Sequence, residues 1–557
     1  MLSNLKVPGV YTEEVSTLPP SVAPVETAIP AFIGYTERSG PAGTDLTAVP
    51  TRIESLLEYE RLFGSGPEVH YSGVELDAGG RITAVDASLP YLLHESLRLF
   101  YANGGGVCYV VSAGTYREDR TVDAADFFKG DTEADTDPLV QIGKVDEITL
   151  LLAPDAYRIG AQLGELHKRM LRQCGELMDR FALLDPPLDG DGEVDLDSLR
   201  NGTGMEYLSY GAAYAPYLRI VPTGRIGYLS HPDLPLTGSV TTTLKQYVDD
   251  RIADPAEHPY RSWNTLTAAH TDYRADLDDA ANRSATLDAV DALATAAGLE
   301  VADSPTLTAY RAAISGADAS TDAGELDELL VSARDGLPFL GAQESVLRGY
   351  LPAYGDLVRG LEQRAFVVPP SGAVAGAIAR TDGARGVWQA AANVSLNGTL
   401  GPSERFTRTE LADMNVHAAT GKSVNAIRAF AGKGTLIFGA RTLAGNDNEY
   451  RYVPVRRLMI FLEESIKKAS ERYVFEANDA NTWTRIRGMI ENFLNLQWRA
   501  GALQGASPAE AYRVSVGLGT TMTADDVTSG RMIVVVSVAP VRPAEFIVLR
   551  FTQHQLQ

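Results

Sequence analysis

The sequence predicts a mixed α/β chain of several domains, and three observations carry that expectation. Residues 145–222 alternate apolar strand patterns with amphipathic helix patterns in a form close to βαβαβ. Residues 450–557 run two long amphipathic helices into apolar strands. The chain has 557 residues, too many for one compact core, which points to about two to four domains.

Taken in order, residues 1–20 read as an arm. Pro8-Gly9 is a turn signal, Val10, Tyr11, Thr12, Glu13, Glu14 and Val15 form a short β-prone run, and Pro19-Pro20 stops it. A strand hemmed by proline on both sides is poorly placed for a local hairpin and suited to reaching another sheet. An α/β pattern follows: a strand over 31–35, helices near 55–63 and 90–101, then Gly104-Gly105-Gly106 as a helix stop before a strand over 107–112. The βαβαβ stretch places strands at 148–152, 181–184 and 217–221 with a helix over 160–177, arguing for a parallel or mixed sheet flanked by helices.

Between 244 and 361 the texture changes to Ala, Asp, Leu and Arg. Leu277, Ala280, Ser284, Leu287, Val290 and Leu293 recur at helical spacing, and the stretch reads as a mostly helical insertion with Pro305 and Pro338 as breakers. After Pro369-Pro370 a helix is expected over 371–380, a loop over 383–397 and a strand over 434–438. The final unit presents Leu458, Leu462, Ile466, Ala469 and Tyr473 on one helix face. Ile486, Ile490, Phe493, Leu496, Ala500 and Leu503 line the next, with strands at 514–516, 532–538 and 546–551.

Composition narrows the function classes. The net charge of −23 opposes the phosphate neutralisation on which nonspecific nucleic-acid binding depends, so nucleic acid is not an expected partner. No apolar run approaches the roughly 18 residues that span a bilayer, and the first residues carry no secretory h-region, so neither membrane insertion nor secretion is expected. Cys108 and Cys174, the two cysteines, are too few for a disulfide framework or a cysteine zinc site and read as buried thiols.

Chemical motifs give little. Gly421-Lys422-Ser423 ends like a P-loop, but Val416 stands where its first glycine belongs, leaving a surface turn. Asp189, Asp191, Glu193, Asp195 and Asp197 alternate like a calcium loop, but Val194 holds the glycine position, leaving a solvated acidic loop. Histidines such as His94, His167, His231 and His417 are scattered, no G-x-S-x-G elbow occurs, and no pair has helical zinc spacing. An α/β hydrolase with a Ser-His-Asp triad is the enzymatic alternative; no enzyme, cofactor or metal is expected.

Several blocks then resemble a known family. PGVYTEEVSTLPPSVAPVETAIPAFIGYTE near the N-terminus, PPSGAVAGAIARTDGARGVWQAAANV in the middle, and GARTLAGNDNEYRYVPVRRLMIFLEESIKKA, FEANDANTWTRIR, WRAGALQG, TMTADDVTSGRM and VRPAEFIVLRF near the C-terminus closely resemble contractile tail sheath proteins. The match is closest to single-chain sheaths of phage tail-like extracellular contractile injection systems, and a contractile-tailed phage sheath is the alternative within the family. The insertion over 244–361 is the poorly matched part. Ala391-Ala392-Asn393 departs from the APAN form usual in the middle block.

That resemblance implies an N-terminal strand-exchange arm over 1–20 and a subtilisin-like but non-proteolytic α/β domain in two parts, 21–243 and 362–440. It further implies a surface insertion over 244–361 and a sheath domain over 441–557. Val10 to Val15 and Phe546, Ile547, Val548, Leu549, Arg550 and Phe551 would be strands exchanged between subunits to complete a shared sheet. Implied partners are further copies of the chain in stacked helical rings, an inner tube protein, and baseplate and cap proteins, with assembly in a prokaryotic cytoplasm. The charged face of the first C-terminal helix, Glu463, Glu464, Lys467, Lys468, Glu471 and Arg472, is the candidate tube contact, with a plain solvated face as the alternative reading. The implied function is a metastable sheath whose contraction drives the tube through a target envelope.

Overall fold

The computed structural model describes residues 22–41, 43–129, 136–222, 226–228, 231–251, 259–296, 299–318, 321–337, 344–345, 347–348 and 351–546. Val10 to Val15 and Ile547 to Phe551 lie outside them, as does Pro338. The chain divides into two compact units, one of Met1–Pro67, Tyr91–Ile220 and Val367–Gln557, the other of Glu68–Pro90 and Val221–Phe366.

The first unit is built on a nine-stranded sheet. Its parallel core runs Asn425–Phe430, Gly211–Ala215, Phe181–Leu184, Leu150–Leu152, Pro30–Thr36 and Cys108–Thr115. Ala31 stands in register with Tyr109 on one side and Leu151 on the other. Short antiparallel strands close the flanks: Thr51–Ile53 beside Cys108–Thr115, and Gly434–Ile437 then Val394–Ser395 beyond Asn425–Phe430. All seven residues of Pro30–Thr36 are buried, as a central parallel strand covered on both faces requires.

Two helices on one face pack with unusually close backbones. A Cβ added to Gly372 would lie 2.4 Å from the Ser96 carbonyl oxygen, and one on Gly376 would lie 2.3 Å from that of Phe100. Only glycine permits that approach between helix Leu93–Ala102 and helix Ser371–Arg385. Asn393 adopts φ +57, a left-handed conformation that asparagine tolerates, and its N–H reaches the Ile437 carbonyl at 2.7 Å. The altered middle motif therefore keeps its turn.

The last parallel strand of the βαβαβ stretch is Gly211–Ala215, rather than residues 217–221. Leu218–Ile220 is a separate short strand paired with Gly401–Pro402. Gly, Ala and Ala carry no β-branched signal, but their small size suits a strand buried at every position.

In the second unit, His70–Leu76 and Ile82–Ser88 form an antiparallel hairpin joined in parallel by Pro235–Gly238. Helices Pro259–Ala275, Ala280–Ala296, Pro305–Gly316 and Ala323–Asp335 surround a separate apolar core that includes Leu266, Val290, Leu293, Tyr310 and Ile314. Pro305 opens a helix behind its Ser304 cap and does not break one. Ser284 is exposed; the buried positions of its helix are Thr286, Ala289, Val290, Leu293 and Ala294.

The C-terminal part of the first unit has its own core. Helix Val453–Ser470 buries Leu458, Leu462 and Ala469, with Tyr473 just beyond, while Ile466 packs against the cluster. Helix Ala480–Arg499 starts at Asp479, whose carboxylate accepts the Asn481 and Thr482 N–H groups at 3.0 and 2.9 Å. It buries Ile486, Met489, Ile490, Phe493 and Leu494. Leu496 and Ala500, expected on that face, are exposed, while Trp498 of the same turn packs against the core. Tyr512–Val516 and Val534–Val538 form an antiparallel pair, the second starting two residues later than expected. Phe546 is 74% exposed and lies outside any strand.

Candidate assembly surfaces and the filled crevice of the sheet

The pair Tyr512–Val516 and Val534–Val538 is the only sheet of its layer among the described residues. Val514 and Val516 are buried, and Val534, Val536 and Val538 lean on the same core while Val535 points out. A two-stranded sheet is marginal alone, and unpaired strand edges are templates for further strands.

The N-terminal end of the described chain roots in this C-terminal layer, and the C-terminal end is held beside the nine-stranded sheet. Val22, 6% exposed, belongs to its core cluster. Three residues on, the Val25 N–H donates to Ser465 Oγ at 3.2 Å. Arg457 then locks the stem: its guanidinium donates to both Asp382 carboxylate oxygens, at 3.0 and 2.6 Å, and to the Thr27 carbonyl at 2.7 Å. At the other end Arg441 grips Glu545 through Nε and Nη2, at 2.8 and 2.5 Å, and the Tyr452 hydroxyl donates to the same carboxylate at 3.2 Å. None of these anchors was singled out in the sequence, where the bonded partners lie 75 to 440 positions apart.

The charged helix face divides. Glu464 is 8% exposed and accepts from Lys467 Nζ at 3.1 Å, with Lys468 Nζ 3.5 Å away. That hydrogen bond holds the Lys467 ammonium above its ordinary pKa. Glu463 pairs with Arg456 at 3.4 Å, and burial raises its carboxyl. Glu463, Lys467, Glu471 and Arg472 are exposed and Lys468 half-buried. Five of the six residues expected to contact a tube therefore reach solvent, and Glu464 serves as the buried base that orients two of them.

An open α/β sheet binds ligands beyond the C-terminal ends of its strands, where strand order reverses. Here that reversal falls at Pro30–Thr36, flanked by Leu150–Leu152 and Cys108–Thr115, and a side chain fills the place. Asp155 accepts the Tyr35 N–H at 2.7 Å and the Leu92 N–H at the start of helix Leu93–Ala102. Burial pushes its carboxyl up to about 6. Beside it Asp185 accepts the Ser371 N–H at 3.1 Å and its hydroxyl at 2.6 Å, capping helix Ser371–Arg385; burial pushes that carboxyl up to about 7. Ser371 is 1% exposed and its hydroxyl donates to Asp185, so the serine at this helix start is no accessible nucleophile.

The remaining motifs are structural. Gly421-Lys422-Ser423 is buried, correcting the expected surface turn: Lys422 Nζ donates to the Arg200 carbonyl and to Thr203 Oγ1, the latter at 3.1 Å, and burial lowers its pKa. Asp189 accepts the Asp191 and Glu193 N–H groups in an exposed loop, and Asp195 caps a helix. His270 is held by Tyr310 and Asp327 at 2.7 and 2.8 Å, and burial drives His167 down to about 3. Cys108 and Cys174 are buried and unbridged. Among the described residues no cluster of His, Cys, Asp and Glu has the makings of a metal site, and no helix is long and apolar enough to cross a membrane.

Residues 445–554 match the phage tail sheath C-terminal domain. A stretch of 131 residues, 23% of the chain, is 28% identical to the tail sheath protein of Vibrio phage KVP40 and spans 19% of that protein's length. Over 99% of both chains the fold matches a chain in the cryo-EM structure of the anti-feeding prophage baseplate, at 26% identity and a TM-score of 0.55. The helical sheath of the same particle in its contracted state matches over 98% of this chain and 99% of that one, again at 26% and 0.55. The contracted PVC sheath, an extracellular contractile injection system, shares the fold at 24% identity and 0.54. Residues 445–554 of this chain thus carry the C-terminal domain of phage tail sheath proteins. Along its full length the chain is similar to the sheaths of phage tail-like injection systems.

Proposed function

We propose that this chain is the structural subunit of a contractile sheath that polymerises helically around an inner tube and stores energy in a metastable extended state. Contraction then drives the tube through a target envelope. The single observation that carries this reading is a sheath C-terminal domain set within a chain whose whole length follows injection-system sheaths.

In this reading the sheet of Tyr512–Val516 and Val534–Val538 is a socket. Val10 to Val15 of one neighbour and Phe546 to Phe551 of another add to its two edges. The rooting of the N-terminal stem in the socket's own core supports this, since that arm leaves the body beside a socket. About four or five backbone hydrogen bonds, at roughly 0.5–1.5 kcal/mol each, hold one strand only by several kcal/mol. A lattice multiplies these links through effective concentration. The tube is met by Glu463, Lys467, Lys468, Glu471 and Arg472. The α/β domain, subtilisin-like in layout, is split at 21–243 and 362–440, and the helical insertion at 244–361 faces away from the tube. Assembly takes place in a prokaryotic cytoplasm with baseplate and cap proteins, and the mechanism calls on no cofactor.

Co-expression with the tube protein encoded beside it, followed by negative-stain imaging, tests this. Striated sheaths are expected, and only dispersed monomers at high concentration would count against it. The similarity to the KVP40 protein favours a second reading, the sheath of a contractile-tailed phage. Capsid and terminase genes nearby would select that reading, and an AAA+ ATPase gene without them the first.

A further inference from the structure

The turn between the two C-terminal helices presents apolar surface to solvent. Phe475 is fully exposed and Val474 is 60% exposed. Phe475 also holds φ +71, a left-handed conformation that a bulky side chain occupies only when its surroundings impose it. The turn is tied down on both sides. The Val474 N–H donates to the Glu471 carbonyl at 3.0 Å and the Glu476 N–H to that of Tyr473 at 3.1 Å. Asn478 joins Trp483 Nε1 at 2.7 Å to the Arg531 carbonyl at 3.0 Å. A held, strained and wholly exposed phenylalanine is a knob whose hole lies on another molecule.

The same unit carries a matching hole. A cavity of about 280 Å³ opens between the start of Phe181–Leu184 and helix Val453–Ser470; Val25, Phe181, Ile460 and Phe461 supply its apolar walls, and charged side chains including Asp179, Arg457, Glu464 and Lys468 also line it. Because Phe475 is fully exposed, it does not fill this cavity in its own chain. Knob and hole at different places on one chain give a head-to-tail contact, the kind that builds rings and open helical assemblies.

We propose that Phe475 of one copy seats in the cavity beside Val25 and Ile460 of the next copy, forming a side-chain contact between sheath subunits separate from any strand exchange. It rests on the sheath reading. A polar contact with the tube must release at contraction, whereas a desolvated apolar seat suits a contact kept between subunits.

Two variants test it in the full chain. Phe475→Ser should leave the monomer's melting temperature unchanged, since the ring touches nothing in its own chain, and raise the critical concentration for polymerisation about ten-fold or more. Phe475→Cys combined with Val25→Cys should give a ladder of covalent oligomers on oxidation, absent from either single variant. Cys108 and Cys174 are buried and do not compete. Normal polymerisation of Phe475→Ser, or sheaths of the double variant without a ladder, would overturn the seat. Serine-variant sheaths that assemble alone but fail to retain the tube would overturn it too and assign the knob to the tube. If the unmodified chain forms no sheath, the sheath reading falls first and takes the seat with it.

Discussion

Arg441 and Glu545 form a bidentate ion pair at the point where the C-terminal segment leaves the body. The Arg441 side chain is 7% exposed and that of Glu545 23%. Arg441 is itself fixed by Asn425, whose side-chain oxygen accepts its N–H at 2.7 Å, and its guanidinium donates to the Gly445 carbonyl at 3.1 Å. The pair therefore transmits the position of the parallel sheet to the root of the terminal segment. Arg441→Ala should destabilise the monomer by about 1–3 kcal/mol and reduce sheath yield further than that loss explains. Glu545→Gln keeps one acceptor and should be milder. Thermal unfolding and pelleting of sheaths separate the two effects.

Asp185 predicts an unusual pH dependence. Its folded-state pKa, about 7, lies above the ordinary carboxylate value of 3.8 because burial disfavours the charge. The folded chain thus binds the proton more tightly than the unfolded one. This contribution is full below pH 4 and is lost as pH rises through 7. Asp185→Asn keeps an acceptor for the Ser371 N–H without the charge. It should be more stable than the parent at pH 8, by roughly 1–3 kcal/mol, with the gain vanishing at pH 4. Equal melting shifts at both pH values would refute this.

Gly376 allows no side chain. Alanine there would meet the Phe100 carbonyl oxygen and the Asn103 side chain, at 2.3 and 2.9 Å, forcing the two helices apart. Gly376→Ala should cost about 1–3 kcal/mol, read by thermal or urea unfolding. Gly383, on the same helix with open space around its Cβ position, is the control; alanine there should be neutral or slightly stabilising.

Reversing Lys467 and Lys468 to glutamate should cost the monomer about 1–3 kcal/mol, because it removes both cationic partners of the buried Glu464. Tube retention by the sheath should fall and depend more on salt. Extended particles that hold their tubes normally would remove these lysines from the tube contact.

The strands Pro30–Thr36, Leu150–Leu152 and Phe181–Leu184 were legible because each is a short apolar run with no competing period. Gly211–Ala215 was not, since small residues in a buried strand leave no mark in hydropathy. The hairpin of His70–Leu76 and Ile82–Ser88 went unassigned because glycine and charged residues interrupt its alternation. In the C-terminal helices the core face was visible from spacing, while the exposure of Leu496 and Ala500 was not, since Trp498 covers the core in that turn instead. The burial of Glu464, Lys422 and Asp185 was invisible for one shared reason: a charged side chain reads as surface until its distant partners are in place.

Strand exchange requires that the two-stranded sheet be incomplete in one chain, and a helical cryo-EM reconstruction of the assembled particle tests this most directly. Every C-terminal domain should then show a sheet of four strands, with Val10 to Val15 of one neighbour and Phe546 to Phe551 of another beside Tyr512–Val516 and Val534–Val538. A sheet still of two strands in a well-ordered sheath, or one completed by the chain's own termini, would contradict it.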